Sequence, residues 1–426
     1  MIINNLELTI KMRITMRKDK FTFLLAAALL TACASNEIKN DVKDFSESSI
    51  SFSTIASPQT KAADNNSNAS TKWNLEAHQT SFDVWAWKYY NGAWVSTAVY
   101  DKGTVNYSSS AWATTGTNIR FWDKSAEKYY FYAAAPHSDN WTLNNKYTAS
   151  SNEYGNKAYL SYADFTLAGG AANNLSGSTT AVTTYVPSFK DVEDVDLMIA
   201  EDNEVVRAKY NKTDPDDVNE LFDHILSRLN VTVALKDGGT LATNNAVVKV
   251  TNFAITGVNL KNKGTFNENG AVATAPYTGA ALSGGTTARW TSLDLDGTYD
   301  LPGASISTTN LTTSALYIAQ YLIIPQSITN EVLDRANGQK DTDADGVGDQ
   351  AAAHPYFVIS YTINGEPFTA YYNLANAFGK TGTETLAFNE GWQNTLNILI
   401  DADIITFDAQ VYAWTNAADH SITIPN

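Results

Sequence analysis

Short apolar runs bounded by turn residues recur along this chain, and several alternate apolar with polar residues at a period of two, the pattern of half-buried antiparallel strands. Phe82-Asp83-Val84-Trp85-Ala86-Trp87 runs through Tyr89-Tyr90 into Asn91-Gly92 and on to Ala93-Trp94-Val95. Asn-Gly between two such runs predicts a hairpin, because both residues tolerate positive φ. A second hairpin is predicted by Tyr356 to Ile363, Asn364-Gly365, and Phe368 to Tyr372. Tyr129 to Pro136, Asp194 to Ala200, Leu396/Ile398/Ile400 and Ile405/Phe407/Ala409/Val411/Ala413 read as further strands. The period changes once. Asp214-Pro215 offers an N-cap and a first-turn proline, and Val218, Leu221, Phe222, Ile225, Leu226 and Leu229 follow at helical spacing. That spacing predicts a short helix. The fold class is therefore all-β: two antiparallel β-sandwich domains, the second entered through the helix.

The N-terminus is built differently. Arg17 to Lys20 form a basic segment, Phe21 to Leu30 a short apolar one, and Leu30-Thr31-Ala32-Cys33 follows. An apolar run this short suits a secretory signal rather than a membrane span. Residues 1–32 read as the signal peptide, with translation starting at Met16. Leu30 to Cys33 resembles the lipobox of bacterial lipoproteins, which implies a diacylglycerol group on the Cys33 thiol and cleavage ahead of it. Residues 33–72 then form a polar tether carrying one strand-like island, Ser49 to Ile55, in which Ile50 and Phe52 share one face. Residues 73–205 make the first sandwich and 206–426 the second, with an acidic insertion at 334–353.

A chain of 426 residues accommodates about two domains. Charged residues are 17% and hydrophobic ones 44%, enough apolar material for real cores. The net charge of −16, with no Lys/Arg cluster beyond the first twenty residues, excludes a nucleic-acid partner. Cys33 is the single cysteine, so once it is acylated no disulfide staples the fold.

Catalytic patterns are missing. The five histidines are scattered, there is no GxSxG elbow, and Phe378-Gly379-Lys380-Thr381 lacks the upstream glycine of a P-loop. The chain does not read as an enzyme. Asp341-Thr342-Asp343-Ala344-Asp345-Gly346-Val347-Gly348-Asp349 does carry chemistry. Alternating aspartates can surround a hard cation while the glycine allows the sharp turn, so Asp341, Asp343, Asp345, Asp349 and the Val347 carbonyl are candidate calcium ligands. Ala352 stands where an EF-hand has its bidentate glutamate, so the loop is closer to those of thrombospondin-type repeats. An acidic, solvated turn is the plainer alternative. Seven of the ten tryptophans fall between residues 73 and 141. Trp85 and Trp87 share a strand face, which suits either sugar stacking, together with Trp94, or core packing.

A series of segments also follows in a telling order: the lipobox, Ile50 to Thr54, Thr60-Lys61-Ala62, Phe82 to Ala86, Tyr129 to Pro136, Asp196 to Ala200, Phe222 to Leu229, Leu322 to Gln326, and Gly391-Trp392 to Trp414. Together they resemble the fimbrillin family of Bacteroidetes, subunits of lipoprotein-derived pili. The resemblance implies two transthyretin-like sandwiches, export to the outer membrane on a lipid anchor, and polymerisation with other fimbrial subunits. It also implies that a protease removes the N-terminal strand and a neighbour's strand replaces it. The better-known members are cut after arginine, but none occurs between Arg17 and Arg120, and Lys61-Ala62 occupies the matching place. The donor strand should alternate apolar residues, as Ile422 and Ile424 do near the C-terminus. That tail can equally pair within its own subunit. The function implied is a structural subunit of a surface fimbria supporting adhesion to host or bacterial surface glycans or proteins. The alternatives are a glycan-binding surface lipoprotein and an outer-membrane lipoprotein that never assembles.

Overall fold

The computed structural model describes residues 48–56, 81–109, 111–145, 158–167, 195–211, 215–256, 259–270, 289–294, 308, 310–343, 348–402 and 405–413. The alternating segments of the first half become strands β1 (Phe52–Ala56), β2 (Ser81–Tyr90), β3 (Ala93–Trp94), β4 (Tyr100–Ser108), β5 (Ala111–Thr114), β6 (Lys128–Ala135), β7 (Trp141–Asn144), β8 (Tyr159–Thr166), β9 (Met198–Val206) and β10 (Val218–His224). Asn91 and Gly92 take φ of 52° and 75° at the tip between β2 and β3, the twist that an Asn-Gly hairpin supplies.

Strands β2, β4, β5, β1, β10, β9 and β6 hydrogen-bond in that order, and β6 pairs back to β2, so the sheet closes into a seven-stranded ring. Closure removes the open edges that would otherwise invite another strand. Every pairing in the ring is antiparallel except β1 with β10. Its interior is strongly aromatic, with Phe52, Phe82, Tyr100, Trp112, Trp122, Tyr129, Phe131, Tyr210 and Phe222 in one buried cluster. Trp122 stacks on Tyr210 at 4.7 Å between ring centroids, and Tyr129 meets both edge-on.

The second half supplies β11 (Ser227–Leu235), β12 (Val248–Thr256), β13 (Lys263–Asn267), β14 (Trp290–Asp294), β15 (Leu316–Ile323), β16 (Gln326–Thr329), β17 (Tyr356–Ile363), β18 (Glu366–Asn373), β19 (Thr385–Phe388), β20 (Trp392–Ile400) and β21 (Ile405–Ala413). They form small open sheets: β15-β11-β20-β21, β12-β17-β18 and β16-β19. Asn364 and Gly365 turn β17 into β18 at φ of 52° and 93°, as the sequence predicts. The fourth sheet, β14-β13-β8-β7, draws strands from both halves of the chain. Among the described residues, no helix is long and apolar enough to cross a membrane.

The helix expected from Asp214 onward is not there. Val218–His224 and Ser227–Leu235 are strands, and the helices are single turns: α1 (Arg207–Tyr210), α2 (Thr240–Thr243) and α3 (Leu374–Ala377). The apolar positions have helical spacing, but within β10 only Val218 and Phe222 of them fall on the inward face. Tertiary pairing decides, since in β10 Val218, Glu220, Phe222 and His224 alternate inward while Leu221 is exposed. β11 is buried along its whole length between β15 and β20. β10 therefore lies beyond the boundary expected at residue 205 and still belongs to the ring. Only Ile225-Leu226 separates it from β11.

Candidate functional site

The island at Ser49 to Ile55 takes its place in the ring. Ile50 and Phe52 are each 3% exposed, and Phe52 sits 5.9 Å from the rings of Phe82 and Tyr100 and 6.2 Å from Phe131. β1 runs parallel to β10, pairing Phe52 with Val218 and Thr54 with Glu220. Side chains paired in this way stand on the same face of the sheet. On the other face Ser51 hydrogen-bonds Asp217, and Ser53 Oγ donates to Asn219 Oδ1 at 3.4 Å. Toward β5 the pairing is thin, a single match of Phe52 with Trp112. β1 is thus a short strand in a slot between β5 and β10, held by one deeply inserted aromatic ring and a hydroxyl rim.

Beneath that slot lies a group the sequence reading missed. Glu220 is fully buried, flanked on its own strand by Val218 and Phe222. Its Oε2 accepts a long bond from Asn203 Nδ2 at 3.4 Å, and Oε1 meets no donor among the described residues. Burial pushes its pKa up from 4.5 to about 8, with the Asn203 bond acting in the opposite direction. The available signal was the Val218-x-Glu220-x-Phe222 alternation, which the helical spacing concealed. The Asp83–His137 pair was missed as well. Asp83 is fully buried, and it accepts from His137 Nδ1 at 2.6 Å and from the Ser138 amide at 3.1 Å. Burial raises its pKa against the opposing pull of these bonds.

The acidic loop brings three of its predicted ligands together. Carboxylate oxygens of Asp341, Asp343 and Asp349 lie within 4.8 Å of one another. Asp349 Oδ2 accepts from the Thr342 amide at 3.0 Å and from Thr342 Oγ1 at 2.6 Å, bonds that lower its pKa. The loop is anchored from below, where Lys340 bridges Leu333 and Gln350, and buried Glu331 accepts from the amides of Ala353 and His354. An all-oxygen set at this spacing fits a hard cation such as calcium. Asp345 and Val347 lie outside the described residues, as do Cys33, Lys61, Ala62, Ile422 and Ile424.

The tryptophans are packing residues. Trp85 and Trp87 are 1% exposed and Trp94 3%, all within the cluster that joins the outer face of the ring to the second half. Trp94 meets Tyr89 at 5.1 Å and Tyr130 at 5.4 Å, so no indole of this group offers a face to a sugar.

No protein-family model matches the chain, and no curated protein does. Among solved structures, its neighbours are Bacteroides and Parabacteroides proteins with cell-adhesion and fimbrial names. A fimbrial protein from Bacteroides vulgatus is 16% identical with a TM-score of 0.39, over 86% of this chain and 99% of that one. A protein provisionally assigned to cell adhesion from Bacteroides uniformis is 14% identical with a TM-score of 0.36, over 86% and 98%. A fimbrial assembly protein from Parabacteroides distasonis is 12% identical with a TM-score of 0.31, over 85% and 95%.

Proposed function

We propose that the chain is a structural subunit of a cell-surface fimbria, exported as a lipoprotein through Cys33 and assembled at the outer membrane by exchange of β1 for a strand of a neighbouring subunit. Adhesion follows from the filament it builds. The observation that carries this reading is the position of β1. It arrives from the tether, fills the gap between β5 and β10, and leaves Lys61 only five residues beyond its last residue, Ala56. Cleavage after Lys61 releases the strand, uncovers the aromatic pocket of Phe52 and gives the ring two unpaired edges, the template another strand needs. The proposed donor is the tail at Ile422 and Ile424, which follows shortly after β21. The acidic loop holds a structural calcium ion through Asp341, Asp343, Asp345, Asp349 and the Val347 carbonyl, with an affinity on the order of 10⁻⁴ M, as in extracellular modules. The test is assembly. Full-length protein treated with protease should form filaments under the electron microscope, and the same chain lacking residues 420–426 should stay monomeric. Filaments of normal length from the truncated chain would rule out the tail as donor.

A further inference from the structure

A carboxyl group in an aromatic core has no packing purpose, and Glu220 has few partners there. β9 carries one extra residue opposite Phe131 to Ala133 of β6, a bulge that brings Asn203 alongside β10. Asn203 Nδ2 spends its shorter bond, 2.8 Å, on the Asn219 carbonyl and reaches Glu220 only at 3.4 Å. No other side-chain bond to Glu220 is formed among the described residues. The charged side chains described on the surrounding strands face elsewhere; those of Glu201 and Asp202 in β9 lie outside the described ones. Asp217 and Asp223 are exposed on the outer face of β10, Glu204 of β9 pairs with Lys128 of β6 at 3.0 Å, and β1 and β5 contain no charged residue. The titratable groups described inside the ring are the phenols of Tyr100, Tyr129 and Tyr210, and burial holds Tyr100 and Tyr210 at about 12. On the inward face of β10 itself, buried His224 follows Glu220 four residues on, and its Nδ1 is bonded to Asp196 Oδ2 at 2.8 Å.

We propose that Glu220 makes the seating of β1 proton-linked: the strand is held while the carboxyl is protonated and loosens as that proton is lost. An ionised carboxylate at this depth needs water, and the weakest cover over it is β1, short and matched to β5 at a single residue. Opening that seam hydrates Glu220 and returns its pKa from about 8 toward 4.5. The open form therefore binds fewer protons than the closed one between those two values. Within that window opening increases with pH, by roughly tenfold per unit, and above about 8 the gain levels off. Retention is favoured in acid and release toward alkaline pH. This goes beyond the assembly reading and needs no second subunit, so its failure and the failure of strand exchange are separate results.

Hydrogen exchange on the full chain in mild detergent, from pH 5 to pH 9, tests it with wild type and Glu220→Gln. Glutamine keeps the shape and the acceptor for Asn203 but has no proton to lose. The ratio of wild-type to variant exchange for the amides of residues 52–56 is expected to start near one at pH 5 and climb roughly tenfold per unit toward pH 8. A ratio that stays flat overturns the proposal. So does a ratio that climbs equally for β2 and β6, since the ring would then open as a whole. If the variant does not fold, the wild type alone decides. Exchange in β1 must outpace that in β20 as pH rises, and parallel behaviour of the two strands contradicts the linkage.

Discussion

The two halves of the molecule solve the same problem in different ways. Both must dispose of strand edges. The first half closes its sheet through β2 and β6, leaving the ring no free edge while β1 is in place. Among the described residues the sheets of the second half stay open, with β15 and β21 each having one partner in their four-stranded sheet, and they pack against one another. Their cores differ accordingly. The ring is filled by large aromatic rings, while the second half relies on aliphatic residues such as Val231, Val233, Ile318, Leu396 and Ile398. A closed ring presents no edge while its short, thinly paired strand is in place. Under the proposed assembly, the first half is the one that receives a strand.

The sharpest way to break this comparison is to weaken each core by one side chain. Phe52→Ala removes the aromatic anchor of β1 and should cost about 3–5 kcal/mol. Measured by denaturant unfolding, the loss should fall on the ring, with exchange of β1 amides accelerated far more than that of β20. Ile398→Ala, fully buried in β20, should cost about 2–5 kcal/mol and leave β1 protection unchanged. Equal loosening of β1 by both variants would mean that the halves do not differ as described. Calcium sharpens the picture from the other side. At a concentration one hundred times its dissociation constant it should add about 2.7 kcal/mol to the second half, seen as a rise in melting temperature. Asp343→Ala combined with Asp345→Ala should abolish that rise, and an unchanged response would remove the loop from consideration. The smallest effect on stability, none, is expected for Cys33→Ser. That variant should instead accumulate as an unprocessed precursor, and normal maturation with partition into detergent would end the lipoprotein reading.

The strands were legible because their signals are local. Asn91-Gly92 and Asn364-Gly365 specify their turns through backbone angles that few residues adopt, and the flanking alternation specifies the faces. The island around Phe52 stood out for a related reason, as apolar residues in a polar tether require a core elsewhere. What could not be read was pairing across long separations. From Val218 to Leu229 the apolar positions follow a helical period, and only pairing with β1, β9, β15 and β20 makes the segment two strands. Glu220 was hidden by the same spacing. On a helix it would fall on the polar face, but in β10 it points into the core. Trp85 and Trp87 share a face under either role, and which partner covers that face is decided by residues as distant as Ile225 and Trp290. In the acidic loop the run of aspartates was evident, while the convergence of Asp349 on Asp341 and Asp343 depends on the anchoring of Lys340 and Glu331.

The central claim is that β1 occupies its slot temporarily, and the mass of the subunit in an assembled filament tests it most directly. Intact filaments sheared from cells, dissociated and weighed by mass spectrometry should yield chains that begin at Ala62 and lack residues 48–56. Filaments built from subunits that keep residues 48–56 would contradict the account, because the ring would then be closed by its own strand with no slot for another.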